Sequence, residues 1–289
     1  MKDRSDKYTK IRFFFIVFIL IQPLLDCYFL YTDQANALLG FTVPPLLSLF
    51  YIAVLLLCLF VRHFKDLGQK SKIWLYSFCA ISMVYFIIHH LTNASFNSMV
   101  PNDFNYSFIN EAYYIIRLMV PFFIAFIYFN IGITKTQFYQ IIYTVSATIA
   151  ITIVVTNLFC ISLSSYTNEW IKGNLFDWFN PSLKIAAEDL TSKGIFSYAN
   201  QTSAILMFTL PLLLYNCLVQ FKWWKSGVIF VQAISMIMLG TKTATLGLIL
   251  VFIFFIIAAL FSLILSGKFK KILTYIKKNS RFAITFTLI

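Results

Sequence analysis

The chain has 289 residues, of which 60% are hydrophobic and only 12% are charged, and its formal net charge is +12. Soluble domains carry about 25% charged residues, so a chain this apolar could not cover its own surface with polar groups. This composition excludes an ordinary soluble protein, and apolar runs near 20 residues recur along the whole length, as expected for membrane-spanning helices.

In chain order, the hydropathy pattern predicts eight complete membrane-spanning helices. They are expected at 11–31, 41–61, 73–91, 110–130, 138–162, 199–219, 226–240 and 243–266. The first run is too long for a signal peptide and lacks a small-residue cleavage site. A ninth apolar run, 282–289, is too short to cross the membrane, and we expect the chain to be truncated there. The predicted fold class is all-α: a polytopic transmembrane helix bundle forming a single domain over 1–289.

Basic residues predict the orientation of these spans, because cytoplasmic loops are enriched in Lys and Arg. With the N-terminus in the cytoplasm, 18 of the 23 basic residues fall on the cytoplasmic side. Four lysines fall outside, and Arg117 lies within a span. This asymmetry explains the positive charge without nucleic acid, and it predicts a multi-pass protein of a bacterial cytoplasmic membrane.

The predicted outer loop, 163–198, combines four large aromatic side chains with polar groups. These aromatics are Trp170, Phe176, Trp178 and Phe179. They suit either a membrane-interface belt or stacking on sugar rings.

Ionisable groups inside the membrane are costly and therefore predict functional sites. Asp26 and Arg117 are expected at similar depth in the first and fourth spans, either as an ion pair joining two helices or in an outward-facing polar cavity. In that cavity Arg117 and Lys242 would contact an anionic ligand such as phosphate, with Asp26 orienting Arg117. Asn200 and Gln201 would either bind sugar or phosphate oxygens or cap the sixth span. His89 and His90 are expected to have structural roles at the interface.

The sequence contains none of the common signatures of nucleotide-binding, metalloprotease or serine-hydrolase sites, and it predicts no metal site and no cofactor. If the protein is an enzyme, it is expected to work by positioning and charge stabilisation, without a metal.

Three stretches resemble the O-antigen ligases and polymerases. One runs from Gly194 through Asn200 to Ala204 and is followed by Pro211; the second runs from Ser235 through Lys242 and Thr243 to Gly247. The third includes Gln22, Pro23 and Asp26. Where the family usually has Ser-Arg, this chain has Lys242 and Thr243, which keep a positive charge but lack the fork of arginine.

This resemblance implies a cell-surface polysaccharide ligase or polymerase of the glycosyltransferase type. It would transfer a glycan from a polyprenyl-pyrophosphate carrier on the outer face of the cytoplasmic membrane. Its partners would be lipid-linked oligosaccharide or polysaccharide and membrane lipid; the pattern does not indicate an oligomeric state. The family's catalytic arginine and histidine are expected beyond Ile289, so no catalytic residue is assigned. The alternatives are an exporter of polysaccharide or lipid-linked sugar, and a non-catalytic, truncated envelope-assembly protein.

Overall fold

The computed structural model describes residues 7–31, 43–92, 108–180, 182 and 185–265. This part of the chain forms nine α-helices and no β-strand. They are α1 (Thr9–Leu25), α2 (Val43–His63), α3 (Gln69–Thr92), α4 (Phe108–Asn130), α5 (Lys135–Leu158), α6 (Ala187–Leu190), α7 (Ala199–Val219), α8 (Trp223–Leu239) and α9 (Lys242–Leu265). The prediction of an all-α membrane bundle is confirmed.

All the helices except the short α6 overlap one of the eight predicted spans. Five of them, α2, α3, α4, α5 and α7, are long and apolar enough to cross a membrane, and α8 and α9 add shorter apolar segments. The chain is therefore a multi-pass membrane protein. The predicted run at 282–289 lies outside the described residues.

Two predicted helix ends are wrong, and both errors have a backbone explanation. The first span was predicted to reach residue 31, but α1 ends at Leu25, two residues after Pro23. Proline has no N–H to donate to the preceding turn, so the end of α1 is held by fewer hydrogen bonds. Asp26 thus follows the helix rather than lying within it, and its backbone N–H donates to the Gln22 carbonyl at 3.1 Å.

The fifth span was predicted to reach residue 162, but α5 ends at Leu158. Cys160 adopts a left-handed conformation with φ of 55°. Its N–H donates to the Asn157 carbonyl and that of Ile161 to the Thr156 carbonyl, both at 2.9 Å. These two bonds form a Schellman motif, which normally has glycine at the left-handed position. Because a cysteine stands there instead, the sequence carried no signal for this helix end.

The chain divides into two compact units, 1–145 and 146–289. In the first unit, α1 and α2 are antiparallel: the Ser48 hydroxyl lies 3.4 Å from the Gln22 amide oxygen near one end, and Lys7 pairs with Asp66 at 2.7 Å near the other. Its core contains the fully buried side chains of Leu59, Ile127 and Ile131.

In the second unit, α7 packs against both α8 and α9. Leu206, Leu210 and Leu213 of α7 are completely buried. Gly247 of α9 faces Met207, and a β-carbon at Gly247 would come within 2.7 Å of the Met207 side chain. The missing side chain therefore allows α9 to approach α7 closely, as small residues commonly do between membrane helices.

Candidate functional site

A hydrogen bond between two buried hydroxyl groups joins the N-terminal ends of α7 and α9. Ser203 Oγ lies 2.6 Å from Thr241 Oγ1, and it also donates to the Ala199 carbonyl at 2.6 Å. A serine hydroxyl has one hydrogen, so Thr241 must be the donor of the pair. Thr241 Oγ1 also accepts the backbone N–H of Ala244 at 3.2 Å, which caps the start of α9.

Three of the predicted site residues are within one helical turn of this hydrogen bond. Asn200 and Gln201 lie in the first turn of α7, Lys242 is the first residue of α9, and all three are exposed. We call this group, together with Ser203 and Thr241, the α7–α9 junction. The structure thus brings these residues to the same end of one helix pair.

The alternative role for Asn200 and Gln201, capping of the helix, is wrong. The N-cap of α7 is Tyr198, which makes no side-chain capping hydrogen bond. Asn200 and Gln201 follow it inside the helix, where their side chains face outward. Both residues are therefore exposed at the surface.

The α7–α9 junction has a positive electrostatic character. Helix N-termini carry a partial positive charge and unpaired N–H groups, both of which favour anions. Neither α7 nor α9 has an acidic residue in its first turn to offset this charge. Lys242 adds a full positive charge at a helix end where a cation is unfavourable for the helix itself. An anionic ligand would remove that conflict.

The predicted outer loop is folded against this junction. The Ser192 N–H donates to the Met238 carbonyl at 2.8 Å, and the Tyr166 hydroxyl donates to the Gly240 carbonyl at 2.9 Å. Gly240 ends α8 with φ of 62°, a left-handed conformation that glycine adopts without strain. A β-carbon at Gly240 would overlap the Thr191 methyl group. Glycine is therefore required both by the turn and by the close approach of the loop.

The loop also contains a buried lysine that the sequence analysis did not identify as a site residue. Lys193 is only 4% exposed, and its ammonium group donates to Asn168 Oδ1 at 2.7 Å and to the Ser197 carbonyl at 3.1 Å. These bonds connect the two ends of the loop immediately before α7. Its place next to Gly194 was visible in the sequence, but its burial depends on a partner 25 residues away.

The four loop aromatics are exposed, as either sequence interpretation requires. Trp170 is 52% exposed, Phe176 69%, Trp178 36% and Phe179 80%. Trp178 is anchored by a hydrogen bond from its indole N–H to the Leu190 carbonyl at 3.3 Å. Nearby, Lys172 pairs with Asp189 at 3.0 Å, and this hydrogen bond raises the pKa of the Lys172 ammonium.

Arg117 and Asp26 belong to the first unit. The Arg12 guanidinium donates to the Ile131 carbonyl from Nε at 3.2 Å and from Nη2 at 3.1 Å, which fixes the start of α1 beside the end of α4. Asp26 and Arg117 are each 14 residues from this contact, roughly 21 Å along their helices. The ion pairs of the described residues do not join these two side chains.

His89 and Glu111 form a polar contact between α3 and α4. His89 Nδ1 lies 2.9 Å from Glu111 Oε1. This contact fits the structural role predicted for His89. In the part of the chain that the structure describes, no group of three or more His, Cys, Asp or Glu residues could hold a metal ion.

Comparison with known proteins gives the family. The model of the family described as O-antigen ligase like membrane protein matches residues 5–288. Neither a curated protein nor a solved structure matches the chain. Because the family match covers nearly the whole length, the chain belongs to this family of membrane proteins, whose substrates are lipid-linked glycans.

Proposed function

We propose that this member of the O-antigen ligase like membrane proteins transfers a glycan from a polyprenyl-pyrophosphate carrier to an acceptor glycan. In this reaction the bond between the anomeric carbon and the pyrophosphate oxygen breaks, and the acceptor hydroxyl oxygen bonds to that carbon and releases its proton to solvent. The pyrophosphate leaves with additional negative charge. Catalysis therefore requires fixed positive groups around the leaving group.

The observation that carries this proposal is the α7–α9 junction. It combines two helix N-termini, the ammonium of Lys242 and the exposed amides of Asn200 and Gln201. These are donors without a matching carboxylate in either first turn, which is the chemistry that binds phosphate oxygens. We assign Lys242 to the pyrophosphate, and Asn200 and Gln201 to oxygens of the phosphate or the first sugar.

Arg117, in the first unit, has a proposed role of its own in binding an anionic group of a lipid-linked ligand; because the described ion pairs do not join it to Asp26, no orienting role is assigned to Asp26. Support for the role of Arg117 comes from its exposure within α4 and from the cost of placing an arginine in a membrane span. The aromatic side chains of the loop would bind the glycan, because exposed Trp and Phe rings beside polar groups can stack on sugar rings.

The test compares Lys242→Ala with Lys222→Ala, an equal change of charge at the opposite end of α7. Both proteins would be reconstituted in vesicles with a polyprenyl-pyrophosphate oligosaccharide and an acceptor glycan. A charged hydrogen bond contributes about 1.5–3 kcal/mol, so we expect Lys242→Ala to reduce transfer by roughly 10- to 150-fold. Lys222→Ala should retain full transfer, and Lys242→Arg should retain most of it. Equal activity of Lys242→Ala and the parent protein would remove the assignment.

We also propose that the protein lies in a bacterial cytoplasmic membrane, with its N-terminus in the cytoplasm and the loop 163–198 outside. The distribution of Lys and Arg along the sequence supports this orientation. In a variant without native cysteines, a new cysteine at the exposed Thr167 should react with a membrane-impermeant thiol reagent in spheroplasts. A cysteine at the exposed Lys65 should react only after lysis. The reverse pattern would contradict this orientation.

A further inference from the structure

A groove lies between α1 and α2 in the first unit. It has a volume of about 370 Å³ and is open along one side. Its walls come from Ile11 and Phe14 on α1, and from Phe50, Tyr51, Val54, Leu55 and Cys58 on α2. The Tyr51 hydroxyl already donates to the Phe14 carbonyl at 3.1 Å, so the walls present mainly apolar surface. Hydrocarbon is the occupant that such walls favour.

Two cations lie at one end of this groove. Lys10 in the first turn of α1 and Arg62 in the last turn of α2 both line it, and both side chains are exposed. The neighbouring Lys7 is paired with Asp66 at 2.7 Å. Among the described residues, no ion pair involves Lys10 or Arg62. The two groups thus form a positive end to an otherwise apolar groove.

The groove has the length of one lipid leaflet. Phe50 and Arg62 are 12 residues apart on α2, which corresponds to about 18 Å along the helix axis. Half of the hydrocarbon core of a bilayer is about 15 Å. A molecule with its charge at Arg62 would therefore extend an acyl chain past Val54 to about the bilayer centre.

We propose that this groove is a binding site for an anionic phospholipid of the leaflet at the Lys10 and Arg62 end. The lipid phosphate contacts Lys10 and Arg62, and one acyl chain lies along Phe14, Val54 and Phe50. Arg62 can offer two parallel donors to the phosphate, and Lys10 offers a point charge. The lipid would hold α1 against α2 along a face where Phe14 and Phe50 are more than half exposed. This proposal does not depend on glycan transfer.

Native mass spectrometry of the full chain in detergent would test the site with added phosphatidylglycerol and phosphatidylcholine. We expect the parent protein to retain phosphatidylglycerol preferentially. The double variant Lys10→Gln/Arg62→Gln should bind it about 25-fold more weakly, because each of the two cations near an anionic lipid contributes roughly fivefold. Val54→Trp would fill the groove without changing charge, and it should reduce retention of both lipids.

The matched control is Lys65→Gln/Lys70→Gln, which removes two exposed cations that do not line the groove, one between α2 and α3 and one in the first turn of α3. It should stay within twofold of the parent protein. An equal loss in both double variants would show general surface attraction and overturn the site. Full retention in Lys10→Gln/Arg62→Gln would overturn it as well. Displacement of phosphatidylglycerol by an equal or lower concentration of undecaprenyl phosphate would refute the bilayer phospholipid as the occupant.

Discussion

Replacing Gly240 with alanine tests whether the outer loop is held in place by the turn between α8 and α9. The substitution forces a side chain into a left-handed conformation, which costs about 1–2 kcal/mol. The new methyl group also overlaps the Thr191 methyl group, and overpacking of this kind costs about 1–3 kcal/mol. We expect Gly240→Ala to reduce the free energy of unfolding by about 2–5 kcal/mol in total.

A double-mutant cycle with Thr191→Ser separates these two costs. Serine removes the methyl group that would clash but keeps the hydroxyl that donates to the Glu188 carbonyl at 2.9 Å. Thr191→Ser alone should cost about 0.5–1.5 kcal/mol for the lost methyl group. In that background Gly240→Ala should cost mainly the backbone strain, about 1–2 kcal/mol, because the remaining contact with the residue 191 β-carbon is longer, at 3.1 Å.

Unfolding in mixed detergent micelles would measure all four free energies. Hydrogen exchange of 162–198 would show whether the loop is released, because the Ser192 and Tyr166 bonds end on Met238 and Gly240. If Gly240→Ala proves as stable as the parent, the packing argument is wrong. If Thr191→Ser leaves the cost of Gly240→Ala unchanged, the clash is not a source of that cost.

Three further predictions concern the buried Arg12, the hydrogen bond between the ends of α7 and α9, and Arg117 in α4. Arg12→Met should destabilise the protein by about 2–4 kcal/mol in the same unfolding assay, because two charged hydrogen bonds to the Ile131 carbonyl are lost. A cost below about 1 kcal/mol would contradict the role of Arg12 in joining α1 to the end of α4. Ser203→Ala should reduce the free energy of unfolding by about 1 kcal/mol, and Thr241→Ala by about 2 kcal/mol because Thr241 also caps α9. The double variant should lose less than the sum of the two, since both single variants remove the same hydrogen bond. Arg117→Ala should abolish glycan transfer while inserting normally into the membrane, as measured by reconstituted transfer and by membrane fractionation; full activity would eliminate its proposed role.

The placement of the spans could be predicted from local composition. For α7 the predicted range, 199–219, equals the helix that forms, and the other long helices differ from their predictions mostly at the ends. Transfer of apolar side chains from water into lipid is nearly additive over about 20 residues, so it can be summed along the sequence. The observed helix ends at Leu25 and Leu158, which were predicted wrongly, depend on individual backbone hydrogen bonds that composition does not record.

The candidate site could be predicted only in part. The sequence shows polar groups at the ends of apolar runs, and these include Lys242, Asn200 and Gln201. The Ser203–Thr241 hydrogen bond joins the N-terminal ends of α7 and α9 and so brings these residues to the same end of the helix pair. The anchoring role of Lys193 was not predictable. An exposed loop lysine and a buried one have the same sequence appearance, and the difference lies in whether Asn168 and the Ser197 carbonyl reach its ammonium group.

By itself the sequence determined that this is an all-α membrane protein and where its apolar helices lie, because hydrophobic transfer is a local property of consecutive residues. Only the tertiary structure decided that the loop folds onto the α8–α9 turn and that α7 and α9 share a positive end. Hydrogen bonds such as Ser203–Thr241, 38 residues apart, form only after packing has excluded water and brought their partners within 3 Å.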